Sequence, residues 1–241
     1  MGAHPPRHPF LPYLLRCSMA MTMALLLFIP YSVSAGEIEF AKVVDISGHA
    51  EVLGPFENKW KPAAAHMLLE KGSKVRTLSE SSVQILFDRN LGSIAKLAEK
   101  SRLDVLGRSS DTFFLERGGL FLYREGETGR LEKPQKIRIR TKDGEVQIGL
   151  GGCVVQSTKE GTFVRVFDER VEVTGRPGSR VAQTEAPRVV EEGFKFFTSV
   201  HAARSAFQRM QFADYGDWQK WIKSVYEKKD DFEAEALEKV F

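Results

Sequence analysis

Between Gly48 and Val105 apolar and polar residues alternate with a period of two, in three successive pieces separated by turn chemistry. Such alternation buries every second side chain on one face of a sheet and leaves its neighbours wet. Gly48 and Val52 open the first piece, and Trp60 follows a loop. The run from Leu69 to Thr77 then precedes Ser82-Val83-Gln84-Ile85-Leu86-Phe87. The run Gly92-Ser93-Ile94-Ala95-Lys96-Leu97 leads into Arg102-Leu103-Asp104-Val105. The alternating residues 38 to 46 supply the first strands. Further strands are predicted at 113–115, 120–123, 137–140, 145–148, 153–156, 163–167, 171–173 and 194–197. Between them Gly118-Gly119, residues 126–129, Asp143-Gly144, Glu160-Gly161 and Arg176-Pro177-Gly178 carry the glycines and proline that tight turns need. Many short strands with regular turns predict a mainly β fold, a solenoid-like or sandwich stack of short antiparallel strands.

The pattern changes after about Val200. Trp218, Trp221, Ile222, Val225 and Tyr226 fall at the spacing of one helical face, with Asp217 placed to cap it. Ala203, Ala206, Phe207 and Met210 suggest a further helical turn upstream, and Asp230 and Glu233 have the spacing of a capping box. The expected organisation is a signal segment at 1–35, a β domain at 36–200 and a helical C-terminal tail at 201–241. The tail's tryptophans either dock the helix onto the sheet or form a partner-binding stripe.

Residues 1 to 35 contain Arg7 and Arg16 but no acid, then an apolar run from Met19 to Ile29, Pro30, and Val33-Ser34-Ala35 before Gly36. That is the anatomy of a secretory signal peptide, with cleavage expected after Ala35. A bilayer-spanning helix needs about 20 apolar residues, so membrane contact is expected only through this segment, if it stays uncleaved. The chain's 35 bases and 32 acids give a net charge of +3, and removal of the two arginines leaves a near-neutral mature chain with no global signal for nucleic acid. Cys153 is the single cysteine beyond the signal segment, so no internal disulfide is expected and stability must come from the apolar core.

Chemistry-bearing residues are sparse. His49, His66 and His201 are scattered, no pair has metal-ligand spacing, and Cys153 has no Cys-x-x-Cys companion, so neither a metal nor another cofactor is expected. Gly149-Leu150-Gly151-Gly152-Cys153 lies between strands rather than ahead of a helix, which argues for tight packing rather than a phosphate loop. One local charge feature stands out. Lys136, Arg138 and Arg140 share one face of a predicted strand, suited to an anionic envelope polymer or an acidic partner, or serving simply to keep an edge strand soluble. These three residues, with Trp218 and Trp221, are the candidate binding surface; no catalytic residue is assigned and the chain is not expected to be an enzyme.

Taken in order, the Gly48 strand, Trp60, Gly72-Ser73-Lys74-Val75-Arg76-Thr77, Ser81-Ser82-Val83-Gln84-Ile85, Gly92-Ser93-Ile94-Ala95-Lys96-Leu97 and Ser101-Arg102-Leu103-Asp104-Val105 resemble the FecR-type periplasmic domain. The resemblance runs on through Leu115 to Phe121 and reaches Phe197. At Gly151-Gly152 this chain has glycine where the family usually has threonine, and Glu169 stands where a turn glycine is common. The resemblance implies a periplasmic, non-catalytic binding or scaffolding protein of the bacterial cell envelope, with an unidentified envelope protein as partner and a place in envelope signalling. A peptidoglycan- or polysaccharide-binding structural protein is the alternative. Only about sixteen residues precede the apolar run, too few for the sigma-binding domain of the family's membrane-spanning regulators, so a stand-alone exported protein is expected.

Overall fold

The computed structural model describes residues 41–87, 92–106, 112–125, 136–175, 186–199 and 206–228. The expected signal segment, its cleavage site, the glycine turn at 126–129, the Pro177 turn, His201, Ala203 and the Asp230–Glu233 spacing lie outside them.

The chain zigzags between two layers. It starts in layer A with β1 (Ala41–Ser47), crosses to layer B for β2 (Ala50–Leu53) and β3 (Lys61–Pro62), and returns for β4 (Leu68–Leu69). Layer B then receives β5 (Lys74–Thr77), layer A β6 (Ser82–Leu86) and β7 (Ser93–Leu97), and layer B β8 (Arg102–Val105). Strand β9 (Thr112–Arg124) begins in B and ends in A. Layer B continues with β10 (Ile137–Arg140) and β11 (Gly144–Ile148), and A with β12 (Gly151–Ser157) and β13 (Thr162–Asp168). Then come β14 (Arg170–Gly175) and β15 (Arg188–Glu191) in B, and β16 (Phe194–Thr198) and β17 (Ala206–Arg209) in A. Spatially, layer A runs β4-β1-β6-β7-β9-β12-β13-β16-β17 and layer B runs β3-β2-β5-β8-β9-β10-β11-β14-β15. All of these pairings are antiparallel except that of β10 with β9, where chain direction repeats.

The inward residues of both layers form one cluster, which is why the period-two pattern is so regular. Val43, Ile85, Leu97, Leu120, Leu122, Val155 and Val166 from A meet Val75, Leu103, Phe113, Leu115, Ile139, Ile148 and Val171 from B. Each fully buried Leu, Ile or Phe contributes about 1.5–3 kcal/mol of transfer free energy, so this stack supplies the stability that no disulfide provides. The fold is therefore the expected mainly β stack with a C-terminal helix, α1 (Gly216–Glu227).

The structure departs from the sequence expectation at three places. Gly118-Gly119 is not a turn between two strands. Gly118, at φ 86°, bends one continuous 13-residue strand from layer B into layer A. Ala206 to Met210 is not helical, because Ala206–Arg209 forms β17 against β16 and Met210 donates its N–H to Gly193 O at 2.8 Å. Asp217 is not the helix cap. Tyr215 occupies the N-cap position, and Asp217 lies in the first turn.

Layer crossings repeat one device. Gly48, at φ 75°, packs on Ser81, whose hydroxyl oxygen accepts the His49 N–H at 2.9 Å. Gly118 packs on Ser101 in the same way, and that hydroxyl oxygen accepts the Gly119 N–H at 2.9 Å. Glycine is required because a Cβ at Gly48 would lie 2.5 Å from Ser81 Oγ. At Glu169 the chain keeps the turn without the glycine, holding φ at 60°.

Candidate functional site: the two outer faces of the stack

The outer face of layer A is apolar and is covered by α1. Ile94, Phe121, Val154 and Phe167 project from it and meet Met210, Trp218, Trp221 and Val225 in a second buried cluster. Trp218 stacks on Phe167 with ring centroids 4.7 Å apart and planes 4° from parallel, and Trp221 meets Phe121 edge-on at 5.6 Å. Trp218 is 7% exposed and Trp221 2%. Both tryptophans are therefore removed from the accessible surface proposed for them, since the face beneath them is the larger apolar partner.

Gly152 is the socket of this interface. A Cβ there would fall 2.3 Å from Trp218 Cζ2 and 2.4 Å from Cη2, so the edge of the indole abuts bare backbone where a threonine would stand in its way. The glycine that stands here, where the pattern the sequence resembles has threonine, thus has a partner 66 positions downstream. Polar contacts fix the helix ends. Lys195 Nζ pairs with Asp214 at 3.0 Å ahead of the helix, the Tyr123 and Tyr226 hydroxyls meet at 2.6 Å, and Lys228 pairs with Asp45 at 2.9 Å. The Gln211 N–H and then Lys195 hold the Asp214 carboxyl below its ordinary range, while burial pushes the Tyr123 phenol well up.

The outer face of layer B is polar and carries the basic strand. Arg138 and Arg140 lie on the outer face of β10 with Lys136 just ahead of it, and acids of neighbouring strands balance Lys136 and Arg140. Lys136 pairs with Glu172 at 2.7 Å and Arg140 with Glu145 at 2.9 Å. Further along, Arg76 pairs with Glu51, Lys74 with Asp104 at 3.3 Å, and Arg102 with Glu116 at 2.9 Å. Trp60 folds onto this ladder with the Arg76 guanidinium 4.3 Å from its ring centroid. The charge ladder was invisible in sequence because its partners lie as far as 36 residues apart.

Across β9, β10, β11 and β14 the register aligns Phe114, Arg140, Glu145 and Thr174 in one cross-strand row, and Arg138, Gln147 and Glu172 in the next. Over the first row lies an open cavity of about 570 Å³ lined by these residues with Lys142 and Gln147. A second depression of about 220 Å³ shares Gln147 and continues toward Lys136 and Glu172.

Among the described residues no group of three or more His, Cys, Asp or Glu side chains is placed to hold a metal ion. Cys153 is fully buried and burial pushes its thiol up to about 12. A thiol so placed is expected to stay unmodified by a water-soluble aromatic disulfide reagent in the native protein and to react stoichiometrically in denaturant. Rapid native labelling would show that β12 opens.

No family model matches the chain, and no curated protein matches it. Two solved structures from Parabacteroides distasonis, each described as a "putative anti-sigma factor", are similar to it. One has a TM-score of 0.46 at 15% identity, over 61% of this chain and 64% of that one. The other has a TM-score of 0.37 at 15% identity, over 74% of this chain and 63% of that one. The chain spans less than two thirds of the length of either.

Proposed function

We propose that this protein is a non-catalytic FecR-type binding or scaffolding protein, exported to the periplasm, which engages an envelope protein through its sheet edge as part of envelope signalling. The motifs from Gly48 to Phe197 support the family, and the apolar segment before Gly36 supports export. The observation that carries the mode of contact is β17. All four of its residues are exposed, and among the described residues it pairs only with β16.

Strand edges bind extended segments by backbone hydrogen bonds. The Met210 N–H bonds to Gly193 O, so the antiparallel ladder alternates from there and turns the N–H groups of Phe207 and Arg209 away from β16. Arg209→Pro removes one outward donor without removing a ladder bond. Affinity capture from envelope extract is expected to recover a partner with the native chain and at least tenfold less with Arg209→Pro. Equal recovery by both would rule out the edge.

A further inference from the structure

We infer that the trough on the outer face of layer B binds a neutral, N-acetylated saccharide chain of the peptidoglycan type. This trough belongs to layer B, apart from the β17 edge in layer A. Its volume of about 570 Å³ lies within the roughly 300–1,000 Å³ of small-ligand sites, and the second depression extends it along the sheet. The two cross-strand rows span four strands, about 14 Å at the usual interstrand spacing, which provides a platform for several linked rings rather than one.

The lining decides the ligand class. Strands β9, β10 and β11 are paired on both sides here, so an incoming chain finds no backbone ladder to join and must be read by side chains. That weighs against an extended polypeptide. The side chains offer a guanidinium, an ammonium, a carboxylate, an amide and a hydroxyl, with Phe114 as the one aromatic of the cavity. Hydroxyl and acetamido groups both donate and accept, so they match such a mixed set, and the apolar face of a pyranose suits the Phe114 ring. A protein interface would instead centre on a cluster of large apolar anchors.

Charge narrows the class further. Arg140 is balanced by Glu145 and Lys136 by Glu172, and with Lys142, Arg170 and Glu169 the lining carries a net charge of only +1, well short of the positive field that a polyanion needs. The same contacts hold the polar groups in place before ligand arrives: Glu145 accepts from Arg140 Nε at 2.9 Å and from the Gln147 amide at 2.8 Å. Groups already fixed lose less entropy on binding.

The test uses the full chain with two probes, the β-1,4-linked N-acetylglucosamine tetramer in calorimetric titration and protease-treated peptidoglycan sacculi in sedimentation. Both are expected to bind, and Gln147→Ala and Phe114→Ala are each expected to weaken binding about tenfold, with little change on doubling the salt. Should Phe114→Ala fail to fold, Gln147→Ala, on the solvated face, decides alone. Binding undiminished in Gln147→Ala, no binding of either probe, or sedimentation only with sacculi not treated with protease would each overturn the proposal, the last pointing to a polypeptide occupant. Arg209→Pro is expected to bind both saccharides normally, so failure of the edge reading and failure of this one are separable.

Discussion

Gly152→Thr is expected to unseat α1 while leaving the two-layer stack folded. Strand β12 is paired with β9 on one side and β13 on the other, so the backbone at Gly152 cannot retreat from an added side chain. The Trp218 indole, whose ring carbons lie 2.3 and 2.4 Å from the position of a Cβ, must move instead. Leaving its place forfeits the stack on Phe167 and loosens the edge contact with Trp221 at 5.1 Å. The loss should approach that of truncating a buried tryptophan, about 3–5 kcal/mol. It falls on the second cluster alone, because the main core lies on the other face of layer A. Tryptophan emission should shift to the red as Trp218 and Trp221 become wet, with strand content by circular dichroism retained. Trp218→Ala tests the pairing directly: added to Gly152→Thr, it should cost far less than it does in the native chain, since the two changes act on one contact. Unchanged emission in Gly152→Thr would mean that the helix does not rest on this glycine.

The legible parts of the fold were those where burial writes a regular pattern. Ile137-Arg138-Ile139-Arg140 reads as a strand because Ile137 and Ile139 enter the shared core while the arginines stay on the outer face. The helix reads equally well, since Trp218, Trp221 and Val225 all bury on one side. Strand β17 was missed for the complementary reason. Its residues are exposed on both faces, so alternation carries no information there, and Ala206, Phe207 and Met210 suggested a helix by spacing alone. Of the candidate surface, the position of Lys136, Arg138 and Arg140 on a strand face was readable. The acids that balance Lys136 and Arg140 come from β14 and β11, and only the folded register brings them close. Gly152 did carry a signal, a glycine where the pattern the sequence resembles has threonine. Its meaning required the tryptophan that occupies the space.

Gly118→Ala is expected to be the most damaging glycine-to-alanine change among the described residues. Strand β9 pairs with β8 and β10 in layer B up to Arg117, and with β7 and β12 in layer A from Gly118 onward. It is the described strand that pairs within both layers, and Gly118 is the residue at the bend. Two independent costs meet there. Its φ of 86° lies in the region that L side chains disfavour by roughly 1–2 kcal/mol. The new Cβ would also stand 2.0 Å from Ser101 Oγ and 2.6 Å from Ser101 Cα, an overpacking worth about 1–3 kcal/mol more. Ser101 has little room to yield, because its N–H donates to Thr77 Oγ1 at 3.0 Å and its hydroxyl to Glu99 O at 3.0 Å. Together the costs approach the lower end of the ~5–15 kcal/mol that stabilises a typical domain, so a large fall in unfolding midpoint or loss of soluble protein is expected. Gly119→Ala supplies the control, since a Cβ there meets only Ala98 Cβ at 3.4 Å and should shift stability by about 1 kcal/mol or less. Adding Ser101→Gly to Gly118→Ala should recover only part of the loss, because the Ser101 backbone and the strained φ remain. Similar midpoints for Gly118→Ala and Gly119→Ala would show that the strand does not turn at this residue.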